Sequence, residues 1–373
     1  MELKKIRLPF KIKEPILALG GQTKNTVCFA KGNFAILSPV YADLGNPKDF
    51  LGFKQSVSYF LKKKPRIIAY DLHPEYQSTK FALSLPTTYY LLPVQHHHAH
   101  IVSCMADNGL KNQNVIGVAF DGTGLGIDQR FWGAEFFCPC GYKNFKRTAH
   151  LREIPLLGSE RAILEPWRLT AVWLYLIYGE RFWRLGLGGF KKANRRKWEV
   201  LKKMYLSGFN SPMASSMGRL FDAVGSLVFE KNKVDFEAEL AIRLEKLATR
   251  YSLLATSYSF KIVRRKDGYI IDPTPMFRQI ILELKRKELK EKIAYKFHLT
   301  IAKMIKDTCL ILRKQTSINK AVLSGGVFQN NLLLRLSLDL LYKEGFDVFT
   351  HNYLPCNDSG ISLGQAAIAN FKD

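Results

Sequence analysis

Apolar residues in the N-terminal part of the chain come in short runs separated by polar segments. The runs at 16–19, 26–30 and 34–38 each have the length of a β-strand, and the segments GGQTKN and KGN between them are rich in turn residues. They predict an N-terminal β-meander. An amphipathic segment at 47–62 and an apolar run at 66–71 follow. This order is that of a β–α–β unit, so we expect a parallel sheet.

A similar order of elements returns further along the chain. An apolar strand is predicted at 115–121, a glycine turn GTGLG at 122–126, and a second strand at 130–137. Two glycine hairpins in successive α/β lobes would place a nucleotide between them, as in the actin-like and Hsp70-like (ASKHA) ATPases. We therefore expect a two-lobed α/β fold of this kind with a nucleotide cleft. Two unrelated hairpins would give the same pattern, and the pattern alone does not separate the two.

The apolar spacing between residues 160 and 314 is mostly helical and predicts a helical insertion. A strand at 322–324, a helix at 328–342 and a strand at 347–350 follow, and a terminal helix starts at about residue 359.

These elements give a division into two lobes. We expect residues 1–93 to form the first lobe, joined by the C-terminal helix 359–373. Residues 94–358 are expected to form the second lobe, with the insertion at about 160–314.

A cluster of histidines is the first candidate for chemistry. Four of the eight histidines lie between His96 and His100, at the predicted start of a helix. In a helix His96 and His100 share one face and can offer two imidazoles to one metal ion. A single pair with this spacing is weakly specific, but the density of histidines strengthens the prediction.

Two aspartates could complete a metal site. Asp121 ends a buried strand beside the glycine turn, and Asp358 lies in NDSG at the start of the last helix. Each has an ordinary alternative, because aspartate often holds a turn or caps a helix. Together with His96 and His100 they would form a site with two histidines and two carboxylates, suited to iron or zinc.

Three glycine-rich segments have the character of phosphate-binding loops. They are 20–25, 122–126 and 325–326, whose backbone N–H groups are not obstructed by side chains. Lys24 adds a positive charge. None of them matches the P-loop or dinucleotide-binding patterns, which disfavours kinases and dehydrogenases.

Composition narrows the setting. A formal charge of +24 would attract nucleotides, nucleic acid or acidic proteins, but the basic clusters lack the interleaved aromatics of a base-stacking surface. The longest apolar run, at 171–178, is too short to span a membrane, and the N-terminus lacks the apolar stretch of a secretory signal. Six scattered cysteines include no CxxC pair, which disfavours a zinc finger. We expect a cytoplasmic protein.

Several motifs resemble those of the HypF family of hydrogenase-maturation carbamoyltransferases. These motifs are VQHHHAH, VAFDGTGLG, WGAEFF, EPWR, SSMGRLFDAVGSL, LSGGVFQNNLLL and NDSGISLGQA. The N-terminal strings LALGGQTKNTVCFA and DLHPEYQSTKFA resemble the same family, so the resemblance extends over nearly the whole chain and is weakest between residues 229 and 316.

The resemblance implies roles for particular residues. His96, His100, Asp121 and Asp358 would hold one divalent ion, Fe²⁺ or Zn²⁺, and act in catalysis. The glycine segments would bind ATP or carbamoyl-adenylate, and AMP would be a product. The residues implied at the nucleotide are Lys24, Asn25, Gly122, Gly124, Gly325, Gly326 and Asn330.

The resemblance also implies a reaction and partners. An acceptor would attack the carbamoyl carbon of carbamoyl-adenylate and expel AMP, and the acceptor would be the C-terminal cysteine of a HypE-like protein. Full-length HypF carries an acylphosphatase-like domain, CxxC zinc motifs and an adenylate-forming domain that this sequence lacks. We therefore expect only the transfer half-reaction here, with a separate protein or domain making the adenylate.

Three other functions are compatible with parts of this pattern. Transfer of threonylcarbamoyl to tRNA shares the fold and would suit the positive charge. Small-molecule O-carbamoylation and a non-catalytic nucleotide-binding scaffold are the others. The strings HHHAH, GGVFQNN and EPWR favour HypF, and retention of all four candidate ligands disfavours a scaffold.

Overall fold

A computed structural model describes residues 3–187, 192–251 and 254–372. Residues 1–2 of the predicted first lobe, 188–191 and 252–253 of the predicted insertion, and residue 373 of the predicted terminal helix lie outside these ranges.

The strands are, in chain order, β1 Lys4–Ala18, β2 Thr23–Asn25, β3 Cys28–Leu37, β4 Tyr41–Asp43, β5 Ile67–Asp71, β6 Tyr90–Val94, β7 Val115–Leu125, β8 Phe131–Cys140, β9 Phe145–Leu151, β10 Ile154–Pro155, β11 Met213–Ala214, β12 Lys261–Arg265, β13 Gly268–Asp272, β14 Lys320–Ser324 and β15 Asp347–Phe349. The helices are α1 Pro47–Leu61, α2 Gln77–Leu83, α3 His96–Asp107, α4 Arg161–Leu164, α5 Trp167–Tyr178, α6 Lys192–Ser207, α7 Met217–Phe229, α8 Glu239–Ala248, α9 Thr274–Lys285, α10 Lys290–Thr316, α11 Asn331–Lys343 and α12 Ile361–Phe371. Short 3₁₀ turns occupy Gly179–Leu185, Gly326–Gln329 and Asp358–Gly360.

The first sheet has the strand order β3-β1-β5-β6. β1 is antiparallel to β3 and parallel to β5, and β5 is parallel to β6. The predicted meander of three strands is therefore wrong. The two runs predicted at 26–30 and 34–38 lie mostly in one strand, β3, which continues across Gly32, where Gly32 pairs with Ile12. β1 also begins at Lys4, because its alternating charged and apolar residues place one side in the core.

The second sheet is larger and mixed, with the main order β12-β13-β9-β8-β7-β14-β15. β7, β8 and β9 are antiparallel neighbours, whereas β14 and β15 run parallel to β7. The predicted glycine turn at 122–126 is wrong in detail. β7 continues to Leu125 through an irregularity between Phe120 and Gly124, and the turn to β8 follows after it.

Two buried helices lie against each other beside the first sheet. α3 packs along α12, and a Cβ atom at Gly364 of α12 would lie only 1.9 Å from the carbonyl oxygen of Ala99. Hydrogen bonds join α12 to the first sheet, because Asn370 accepts from the Lys13 N–H and Gln365 accepts from the Gly20 N–H. The helix thus packs on the first sheet. The lobe boundaries themselves stay a prediction.

The region predicted as a helical insertion is mostly helical but contributes strands as well. α5, α7, α8, α9 and α10 contribute to one apolar core with the second sheet. The hairpin of β12 and β13 extends that sheet, because β13 pairs in parallel with β9. Its short strands carry charged residues, and this obscured their apolar pattern in the sequence.

Candidate metal centre

The histidine cluster forms the first turns of α3. The helix begins at His96, directly after β6, and the side chain of Gln95 caps it by accepting the His98 N–H. All twelve side chains of α3 are buried. The rings of His96 and His100 lie 5.0 Å apart between centroids, so the predicted shared face is confirmed.

The two aspartates predicted as ligands lie beside these rings. Asp121 Oδ2 is 3.3 Å from Nε2 of His96 and 3.2 Å from Nε2 of His100. Asp358 Oδ1 is 3.5 Å from the same nitrogen of His100. One ligand atom from each of the four residues lies within 4.8 Å of every other.

This geometry fits a divalent ion. Tetrahedral ligands at about 2.1 Å from a metal lie roughly 3.4 Å from each other, close to the separations above. Imidazole nitrogens with carboxylate oxygens suit iron or zinc. The arrangement of the four ligand atoms fits the predicted ion equally well for Fe²⁺ and Zn²⁺.

A third carboxylate, missed by the sequence analysis, orients His96. Asp71 is fully buried at the end of β5, and its Oδ2 lies 2.8 Å from Nδ1 of His96. A carboxylate can only accept here, so Nδ1 carries a proton, and Nε2 is the nitrogen that can offer its lone pair to a metal once its own proton is lost. One signal was available, because Asp71 ends a buried strand just as Asp121 follows the apolar part of β7.

Electrostatics make the cluster attractive to a cation. Burial acts to lower the pKa of both imidazoles, but nearby carboxylates outweigh it and hold each pKa above its ordinary value. For His96 these are Asp71, Asp121 and Asp358, and for His100 they are Asp121 and Asp358. Burial acts to raise the pKa of Asp121, but hydrogen bonds to the two imidazoles outweigh it and hold that pKa well below its usual range. A bound metal would displace the protons from Nε2, so its affinity falls as the pH falls.

The other two histidines of the cluster serve structural contacts. His98 Nε2 lies 2.7 Å from the carbonyl of Gly141, to which it donates. His97 Nδ1 is 3.2 Å from the amide of Gln95. Burial lowers the pKa of both, so they stay neutral near pH 7.

Asp358 is free to join the cluster because its neighbour makes the cap. Asn357 Oδ1 accepts the N–H of Ser359, so the helix-capping alternative belongs to Asn357. The preceding segment is fixed to α3, since Asp107 Oδ2 accepts the backbone N–H groups of Asn352, Tyr353 and Leu354.

The predicted nucleotide-binding residues fall into two groups. Lys24 Nζ lies 3.4 Å from Gln329 Oε1, so its side chain joins the first glycine segment to the 3₁₀ turn that begins at Gly326. The N–H of Gly326 donates to Asp121 Oδ1, which ties the third segment to the metal cluster. Gly325 has φ 107°, and a Cβ there would lie 2.2 Å from the Phe120 carbonyl.

Other members of the predicted set are engaged in packing. The Asn25 amide donates to the carbonyls of Leu19 and Gly21 within its own loop. Asn330 caps α11 and donates to His298. A Cβ at Gly124 would lie 2.6 Å from the ring of His97. Their contacts with a nucleotide stay predictions.

An aromatic pair beside the cluster was also missed. The rings of His73 and Tyr76 stack at 4.3 Å, in the segment after β5. Burial, with the charges of Asp71, Asp358 and Asp121, raises the pKa of Tyr76 well above its usual value. The phenol therefore stays protonated beside the ligand cluster.

Two family models match this chain. The model described as "Carbamoyltransferase, Kae1-like Domain, second subdomain" matches residues 117–365, and "HypF Kae1-like domain" matches residues 11–107. The chain belongs to the HypF carbamoyltransferase family. The resemblance to HypF is thereby confirmed.

Individual members of the HypF family agree. Carbamoyltransferase HypF of Synechocystis sp. is 35% identical over 378 residues, which cover 96% of this chain and 48% of that protein. A "Carbamoyltransferase HypF homolog" of Cupriavidus necator is 31% identical, with 95% of this chain and 91% of that protein covered. The chain thus spans about half the length of most of these HypF relatives and nearly all of one.

Solved HypF structures share the fold. A full-length HypF in its phosphate- and nucleotide-bound form superposes with a TM-score of 0.91 at 40% identity, over 98% of this chain and 47% of that one. HypF of T. kodakarensis gives 0.87 at 27% identity, over 98% of this chain and 49% of that one. The predicted actin-like α/β fold is confirmed. Among the residues that the structure describes, no helix is both long enough and apolar enough to cross a bilayer.

Proposed function

We propose that this chain transfers a carbamoyl group from carbamoyl-adenylate to the C-terminal cysteine of a HypE-like protein, as a step toward the cyanide ligands of nickel–iron hydrogenase. The observation that carries the proposal is the contact between Gly326 and Asp121. It joins a glycine segment of phosphate-binding character directly to a cluster suited to a divalent ion. Membership of the HypF family and the nucleotide bound by a full-length relative support it.

The chain's own residues provide binding and orientation. Backbone N–H groups of the first and second glycine segments and the ammonium of Lys24 stabilise the phosphate of the adenylate, where negative charge builds up as AMP leaves. Asp71 keeps His96 in the tautomer that binds metal. A divalent ion, Fe²⁺ or Zn²⁺, held by the four ligands would supply Lewis-acid polarisation of the carbamoyl oxygen.

The reaction balances without a nucleophile from this chain. The acceptor thiolate attacks the carbamoyl carbon, the C–S bond forms, and the bond from that carbon to the phosphate oxygen breaks. AMP departs with the electron pair, and the thiol proton passes to solvent. A separate protein or domain supplies the adenylate.

Mass spectrometry of an acceptor peptide tests the proposal. The protein is incubated with a carbamoyl-adenylate source and a peptide ending in cysteine, beside an identical peptide ending in serine. We expect only the cysteine peptide to gain one carbamoyl group. No gain on a cysteine peptide or on a folded HypE-like acceptor, with adenylate present throughout, would refute the proposed acceptor.

Matched histidine variants separate the metal from the fold. His100→Ala removes a ligand, whereas His98→Ala removes the same atoms from the same helix outside the ligand set. We expect His100→Ala to lose bound metal and transfer, and His98→Ala to keep metal. Transfer at the parental rate by a folded, metal-free His100→Ala protein would refute metal dependence.

A further inference from the structure

Arg219 is a buried cation directly behind the second glycine segment. The first turn of α7 lies against that segment, because a Cβ at Gly218 would be 3.0 Å from Cα of Gly122. Ser216 fixes the contact, since its hydroxyl donates to the Gly122 carbonyl and accepts the Arg219 N–H. Only 2% of the Arg219 side chain is exposed. The guanidinium therefore lies next to the residue that follows the ligand Asp121.

The guanidinium is incompletely paired. Nη2 donates to Glu237 Oε1 at 3.0 Å, and Nε lies 2.9 Å from Asp222 Oδ2 as an ion pair without a well-formed hydrogen bond. Nη1 is buried and has no hydrogen-bond partner. Leaving a buried charged donor unsatisfied is costly, so such a group is expected to meet a ligand or water.

Glu237 covers this cation from the solvent side. Its side chain is 55% exposed and comes from the connection between α7 and α8. Its Oε1 would be 2.8 Å from a Cβ at Gly122, so the carboxylate lies against the second glycine segment. A phosphate bound to the N–H groups of this segment would compete with that carboxylate, because guanidinium pairs with both anions through the same donors.

We propose that Arg219 binds the phosphate of the adenylate and that Glu237 occupies its Nη2 until the phosphate displaces it. The proposal rests on the proposed function for the nucleotide itself. It adds a residue from outside the glycine segments and a competing carboxylate. A nucleoside without phosphate does not compete with Glu237, so the two residues should act on AMP and not on adenosine.

Calorimetric titration with AMP and with adenosine tests this. Glu237→Gln keeps the shape of the side chain and removes its competing charge. We therefore expect AMP to bind on the order of tenfold more tightly, with the affinity for adenosine unchanged. Asp235→Asn is the control, because it removes the same charge from the same connection at a side chain that is 90% exposed and does not contact Arg219. It should leave both affinities within about twofold.

Arg219 variants give the opposite change. Arg219→Gln should weaken the binding of AMP on the order of tenfold relative to the binding of adenosine. Arg219→Lys should weaken AMP binding less, because the positive charge remains although the paired donors of the guanidinium are lost. Metal content and the unfolding temperature of each variant check the fold.

Glu237→Gln keeps the test decisive if the Arg219 variants do not fold. An unchanged ratio of AMP to adenosine affinity in Glu237→Gln, or a change of the same size in Asp235→Asn, would overturn the role of Arg219 while the proposed function stands. A parent protein that binds neither compound would overturn the proposed function and this proposal with it.

Discussion

Replacing Asp71 with asparagine tests how the candidate metal centre is organised. Asp71 accepts two hydrogen bonds, from Nδ1–H of His96 at 2.8 Å and from the backbone N–H of His73 at 3.0 Å. An amide offers only one oxygen. If its NH₂ faces His96, the imidazole must accept at Nδ1 and carry its proton on Nε2, where it no longer binds metal. If the NH₂ faces His73, two donors oppose each other in a fully buried site.

Either orientation weakens metal binding. Loss of a carboxylate that orients a metal-binding histidine typically costs 10- to 100-fold in affinity, which is about 1.4–2.7 kcal/mol. We expect Asp71→Asn to fall within or above that range in competition with a chromophoric chelator at pH 7.5. Thr79→Val is the matched control, because Thr79 donates to the backbone carbonyl of Asp71 and leaves its carboxylate intact.

The outcome that would refute the reasoning is specific. Metal affinity of Asp71→Asn within twofold of the parent protein, in a variant with an unchanged unfolding temperature, would mean that Asp71 does not set the tautomer of His96. An equal loss of affinity in Thr79→Val would assign the effect to the position of β5 rather than to the carboxylate.

Two further predictions concern stability. Burial lowers the pKa of His298 from 6.5 to about 4. Between pH 6.5 and pH 4 this imidazole is therefore protonated in the unfolded chain and neutral in the folded chain. The free energy of unfolding therefore falls as the pH drops below about 6.5, by about 2 kcal/mol at pH 5. In urea unfolding, His298→Gln should lose less stability between pH 7 and pH 5 than the parent protein. An equal loss in both proteins would contradict the assignment to His298. Gly364→Ala should lower the free energy of unfolding by about 3 kcal/mol or more, because the new Cβ would lie 1.9 Å from the Ala99 carbonyl oxygen. Ala369→Gly, on the same helix, should lower it by only about 1 kcal/mol. Thermal unfolding of both variants measures the difference. Comparable losses in the two helix variants would argue against that close contact.

The sequence predicted structure correctly where the periodicity of a single helix or strand determines which residues face the core. The helical period places His96 and His100 on one face whatever surrounds them, and the apolar run of β7 gives a buried strand near Asp121. The terminal helix and the order of strands after residue 320 followed from the same kind of local pattern. The motifs added the family, because several of them occur together over nearly the whole chain.

Local pattern was misleading where tertiary contacts overrule it. The glycines of GTGLG are typical of a turn, yet they continue β7 because Gly124 packs under the imidazole rings of α3. Asn25 and Asn330 have side chains suited to a ligand, but loop carbonyls and a helix cap engage them. The sequence alone does not determine which of several possible hydrogen-bond partners a side-chain amide will have.

The sequence by itself determined the class of fold, the family and the shared helix face of His96 and His100, since these depend on spacing along one helix and on motifs. The motifs predicted that Asp121 and Asp358 join these histidines, but only the tertiary structure decided the distances at which they meet and added Asp71 to the cluster. The physical reason is that β5, β7 and the 3₁₀ turn before α12 are far apart along the chain. They come together only because α3 packs beside both sheets, and no periodicity within a single element encodes that packing.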